Sequence, residues 1–175
     1  MKRILTSLAL AAMTFAFVPK AALADDGAPF KASFAVTFAS TPNTTTPPVT
    51  YCGGAPLLMV VEAHGDGYST LGPLGFSLQK TSGGGLFHGC LTLTAPNGDT
   101  LTATYDAAAV APTNANHFTP ASGTLTFTGG TGRFSGASGS ATFTAVFAQF
   151  YPLLPAPHQG MAFYLVEGAV SVHED

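Results

Sequence analysis

Residues 123–147 read GTLTFTGGTGRFSGASGSATFTAVF. Leu125 and Phe127 alternate with Thr124, Thr126 and Thr128, and Ala141, Phe143, Ala145 and Phe147 share one face of a second run. A period of two places alternate side chains on opposite faces, the pattern of a half-buried β-strand. Gly129 to Gly136 between them forms a glycine-rich turn. Gly130 and Gly132 begin a GxGxxG, but Ser135 stands where the third glycine belongs, and no Lys-Ser/Thr pair follows as in a phosphate loop. The flanks are strands, so no helix N-terminus is available to hold an anion. The stretch therefore predicts a hairpin with a β-bulge.

The same texture runs outward in both directions. Phe30, Ala32, Phe34, Val36 and Phe38 alternate with Lys31, Ser33, Ala35 and Thr37, and a Pro- and Thr-rich loop follows from Ser40 to Thr50. Pro56 to His64 predicts a strand, Gly65-Asp66-Gly67 a turn, and Tyr68 to Lys80 one bent strand or two short ones broken at Gly72-Pro73. After a turn at Thr81 to Gly85, Leu86 to Ala95 and Thr100 to Asp106 flank Pro96-Asn97-Gly98-Asp99, a strong hairpin signal. Ala107 to Ser122 is a connection, Tyr151 to Gln159 is Pro-rich, and Gly160 to His173 is a last strand. No long segment has helical period. About eight strands with short hairpin links predict an all-β fold, an antiparallel barrel that removes its own edges, with a two-sheet sandwich as the alternative. Rows of Thr and Ser opposite the apolar faces, and the charged tail His173-Glu174-Asp175, favour a soluble barrel over an outer-membrane one.

The first residues form a secretory signal: Lys2 and Arg3, the apolar run Ile4 to Val18, then Ala22-Leu23-Ala24 with small residues before a cut after Ala24. The run is shorter than the roughly 20 apolar residues of a membrane-spanning helix. The domain expectation is a cleaved signal peptide at 1–24 and a single barrel domain at 25–175, exported to the periplasm or the exterior. Only Lys31, Lys80 and Arg133 remain as Lys or Arg after the cut, while all nine Asp and Glu remain, so the net charge moves from −3 to −6. So few cations cannot neutralise a run of phosphates, which excludes nucleic acid as a partner, and no basic patch is left to hold an anionic membrane. Cys52 and Cys90 are the only cysteines. In an oxidising compartment they most simply form one disulfide. A metal pair or redox couple is the alternative, but there is no CxxC and no third ligand at zinc spacing.

Several side chains invite a chemical reading. Glu62 and His64 share a face at i and i+2, where a carboxylate and an imidazole can do acid–base work or simply be solvated at a rim. His88 shares its face with Cys90, Thr92 and Thr94, opposite Phe87, Leu91 and Leu93, and reads as outward. Glu167 shares parity with Met161, Phe163 and Leu165 in the last strand. A carboxylate among inward apolar residues would have a raised pKa and serve as acid or base. The alternative turns it outward or satisfies it with Arg133 or a tyrosine. No Gly-x-Ser-x-Gly elbow or other activated nucleophile is visible, and no metal or cofactor is expected.

Asn97-Gly98-Asp99-Thr100-Leu101, the Thr-rich strand ending at Tyr105, and Phe127-Thr128-Gly129-Gly130-Thr131-Gly132-Arg133-Phe134 followed by Ser135 to Gly139 resemble secreted bacterial proteins of the allene oxide cyclase-like and dirigent-like β-barrels. The resemblance spans about Leu86 to Phe147 and implies an eight-stranded antiparallel barrel with an apolar cavity. Its members include cyclases and proteins that orient reactive intermediates, often as oligomers, so a homo-oligomer is one expectation. None of their catalytic residues matches a position here. Three functions follow as expectations. One is a non-catalytic barrel binding a small apolar ligand, with Phe34, Phe127, Phe143, Phe147 and Phe163 lining the interior. Another is a cofactor-free isomerase or cyclase using Glu167, Glu62 or Tyr105. The third is a structural or surface-interaction module with a solid core.

Overall fold

Alternation sets the strands, and their pairing closes the sheet. The computed structural model describes residues 27–111, 113, 117–149 and 158–172. The expected signal peptide, His173 and most of the Pro-rich stretch lie outside the described residues. The strands are β1 (Ala28–Pro42), β2 (Met59–Ser69), β3 (Gly72–Gly83), β4 (Leu86–Thr94), β5 (Thr100–Ala109), β6 (Phe118–Gly130), β7 (Ser138–Gln149) and β8 (His158–Ser171). Each pairs antiparallel with the next, and β8 pairs with β1, so the sheet is a closed barrel and the sandwich alternative is set aside. Closure leaves no strand edge to template association.

The glycine-rich link from β6 to β7 contains a single 3-10 turn, Gly132–Phe134. The β5–β6 register slips between Thr102 and Ala103, the expected bulge. Phe134 and Ala137 of this link are buried and plug one end of the barrel, beside Phe30, Leu93, Leu101 and Val170. Arg133 donates from its guanidinium to the Leu71 carbonyl at 3.1 Å, which ties the plug to the β2–β3 turn.

Several expected boundaries move. Gly65-Asp66-Gly67 is not a turn: β2 runs through it to Ser69, and the reversal falls at Thr70-Leu71. The glycines are there because β1 comes too close for a side chain. A Cβ on Gly67 would meet the Phe34 ring at 2.4 Å and the Ser33 carbonyl oxygen at 2.1 Å. The connection expected from Ala107 to Ser122 is shorter, because β5 continues to Ala109 and β6 begins at Phe118.

Inside, aromatic rings interlock across the barrel. Phe30 meets Phe127 edge-on at 5.2 Å, Phe76 lies 5.1 Å from Tyr164, and Tyr105 stacks on Phe143 at 4.8 Å. Such pairs add to the stabilisation from area burial and leave little room between them.

Candidate functional site

At the end opposite the plug, the packing opens. A cavity of about 280 Å³ lies where β1, β3, β5 and β7 end and β2, β4 and β6 begin. Its apolar walls are Phe38, Val61, Phe87 and Phe147, with Ser40, Thr113, Thr119 and Gln149 as polar rim. Thr113 and Thr119 hydrogen-bond to each other at 2.6 Å. Small-molecule sites are commonly ~300–1,000 Å³, so this one suits a small occupant.

Lys80 projects into the same space. It continues the inward series Leu74, Phe76 and Leu78 on β3 and is 2% exposed. Its register partners explain how the stem fits: Val61 on β2, and Gly89 on β4, where a Cβ would lie 2.5 Å from that of Lys80. Gly89 thus leaves a gap between Lys80 and Tyr105, its partner on β5. The Lys80 Nζ lies 4.1 Å from the ring centre of Phe147, 4.5 Å from Phe87 and 5.1 Å from Tyr105. It has no hydrogen-bond partner among the described residues. Burial favours the uncharged amine and lowers its pKa from 10.5 to about 7. The ring faces oppose that trend, since they attract the ammonium form.

Other polar atoms are buried nearby. The hydroxyls of Tyr105 and Tyr164 interact with each other, and burial pushes both pKa values up. The Nδ1 of His158, at the same end of the barrel, is also buried and unpartnered. Buried polar atoms are paired in the great majority of cases, so the unpartnered Lys80 Nζ and His158 Nδ1 at one end are a signal of function.

The loop from 43 to 58 is fastened beside this end. The Asn43 side chain donates to the carbonyls of Val49 and Leu57, and accepts from the Val49 amide. Cys52 and Cys90 form the expected disulfide, joining this loop to β4. His88 faces outward as expected, in contact with the Asp106 carboxylate and 3.3 Å from the Cys52 carbonyl oxygen. Burial would lower the His88 pKa, but Asp106 and the backbone of Cys52 and Tyr51 outweigh it and hold it raised.

Of the expected ligand-lining residues, Phe34, Phe127, Phe143 and Phe147 are buried inside, and only Phe147 borders the cavity at the Lys80 end. Phe163 is a correction: it stands on the outer wall, 53% exposed. Glu167 is corrected with it. The shared parity with Met161, Phe163 and Leu165 holds, but that face of β8 points outward, because Ala162, Tyr164 and Val166 fill the inside. Glu167 is exposed and lies 3.4 Å from Lys31 on neighbouring β1. Glu62 and His64 are exposed on the outer face of β2. Tyr105 is inside, so the structure does not bring Glu62, Glu167 and Tyr105 together. Tyr68, Phe163 and Leu165 form an apolar strip on the outer wall. Among the described residues, no three His, Cys, Asp or Glu side chains converge as a metal site would require, and no helix is long and apolar enough to cross a membrane.

Lys80 was missed in the sequence. The signal was present, since Leu74, Phe76, Leu78 and Lys80 keep strict alternation. Placed at a strand end, a lysine reads as one that snorkels to water. The strand in fact continues to Gly83, and Thr81 beside it is buried under the loop, donating to the Ala55 carbonyl at 3.2 Å.

No protein-family model and no curated protein matches the chain. Among solved structures it is similar to two pterocarpan synthase dirigent proteins, GePTS1 and PsPTS1. They are 19% and 16% identical to it, with TM-scores of 0.40 and 0.42. The likeness covers 83% of this chain in each case, and 88% and 97% of the two relatives.

Proposed function

We propose that this chain is an exported, non-catalytic barrel that binds a small apolar ligand in the cavity at the Lys80 end. The observation that carries the reading is the contrast within one interior: rings fill the barrel from the plug to Tyr105 and Tyr164, and then about 280 Å³ is left among Phe38, Val61, Phe87 and Phe147. A domain selected only for solidity gains from filling such a space, because voids forfeit contacts. The Cys52–Cys90 disulfide supports the exported part of the reading, since such bonds persist in oxidising compartments. The cyclase alternative loses its acid–base pairing, with Glu62 and Glu167 on the outer wall and only Tyr105 within.

The test is a titration of the isotope-labelled protein with octan-1-ol, followed by NMR. Saturable one-to-one shifts should concentrate at Phe38, Phe87 and Phe147. Val61→Phe, which fills the cavity from β2, should weaken binding at least about tenfold, roughly 1.4 kcal/mol. Absence of saturable binding in the unaltered protein, with no apolar molecule found by mass spectrometry in protein from its native host, would sink the reading.

A further inference from the structure

A buried amine with no anion beside it needs an explanation. Among the described residues Glu62, Asp66, Asp106 and Glu167 are exposed, Asp99 sits at the plug end beside Asn97 and Arg133, and none faces Lys80. An ammonium in that position would be desolvated with only ring faces in return, which is expensive. A hydrophobe such as Met would fill the same volume without that cost. What the lysine adds is a nucleophile: an amine in an apolar pocket is held uncharged, with its lone pair available. The cavity brings an apolar reactant to that atom and keeps bulk water off three sides of it, where the rings of Phe87, Tyr105 and Phe147 stand.

We propose that Lys80 captures small apolar aldehydes or ketones in this cavity as an imine on its Nζ. The inference rests on the cavity being a ligand site and names the ligand's reactive group. The Nζ lone pair adds to the carbonyl carbon, and an amine proton moves to the oxygen. The carbinolamine then loses one water as the carbon–nitrogen double bond forms. No electrons are transferred, no other reactant is needed, and water reverses the step. Tyr105 and Phe147 form walls of the site, and the apolar tail of the ligand lies toward Phe38 and Val61.

The experiment is reductive trapping. The exported protein is incubated with octanal and cyanoborohydride at pH 7, digested and mapped by mass spectrometry. At that pH an ordinary lysine has its amine free in fewer than about one molecule in a thousand. Alkylation of Lys80 should exceed that of surface-exposed Lys31 at least about tenfold, and excess octan-1-ol, which has no carbonyl, should suppress it. Lys80→Met should lose the adduct. If that variant does not fold, the octan-1-ol protection of the unaltered protein carries the test. Equal alkylation at Lys31 and Lys80, or adduct at Lys80 that octan-1-ol does not suppress, overturns the proposal. No adduct while octan-1-ol binds saturably overturns imine capture and leaves ligand binding standing. No adduct while octanoate binds more tightly than octanal overturns it in favour of an ion pair. Failure of octan-1-ol itself to bind takes down the ligand site along with the imine.

Discussion

Lys80 exchanges a proton between two very different surroundings. In the barrel its pKa is about 7, against 10.5 for an ordinary lysine. Below pH 7 both folded and unfolded chains hold the proton. Between 7 and 10.5 the unfolded chain holds it and the folded one does not. The Lys80 contribution to stability therefore rises with pH through that window, by at most ~1.4 kcal/mol per unit. His88 acts in the opposite sense, since its raised pKa contributes stability that is lost as pH climbs through it. Tyr105 and Tyr164 also oppose Lys80 above about pH 10, where an unfolded tyrosine gives up a proton that the buried hydroxyl keeps. A Lys80→Met variant separates these contributions. Urea unfolding at pH 7 should find it more stable than the unaltered protein by roughly 1–3 kcal/mol, and the advantage should shrink steadily toward pH 9.5. A constant difference across that range would show that Lys80 keeps an ordinary pKa in the fold.

At the scale of single strands, alternation made the strands legible, but not always which face turns inward. In β1 and β7 the phenylalanines all share one parity, so Phe34, Phe143 and Phe147 point inward. β8 carries apolar residues on both faces, and by size Met161, Phe163 and Leu165 look the more buried set. The choice is made by neighbours in the closed sheet. Rings of Phe76, Phe143 and Phe147 gather around Tyr164, and the layer beside it has room only for Ala162. Nothing within β8 encodes that crowding. The β2 turn was misplaced for a related reason, because Gly65 and Gly67 answer to β1 and not to a reversal of their own chain. Gly67→Ala should thus behave as overpacking and cost roughly 1–3 kcal/mol. Gly75 on β3 is the control. A Cβ there meets nothing nearer than 3.6 Å, and alanine should change stability by less than about 0.5 kcal/mol. Equal effects in chemical denaturation would mean that β1 and β2 are not held at this spacing.

Across the whole molecule, the barrel joins two regimes in one sheet, a plugged and ring-filled half and a half that opens at Lys80. If both halves served only stability, truncating a large ring should cost the same in either. Phe143, 3% exposed and packed on Tyr105 and Tyr164, lies in the filled half, and its truncation to alanine should cost about 3–5 kcal/mol by leaving a void. Phe87 is only partly buried and already borders empty volume, so its truncation merely enlarges a space that exists. We expect Phe87→Ala to cost no more than about 2 kcal/mol, the transfer share without a new cavity. The two variants should also part in function. Phe143→Ala should leave octan-1-ol affinity within about threefold when measured well below its unfolding midpoint, whereas Phe87→Ala removes a wall of the site and should weaken it about tenfold or more. The crossed pattern, stability lost at one ring and affinity at the other, is the behaviour of a scaffold with a site at one end. Parallel losses at both rings would return the molecule to a solid module whose open end does no binding.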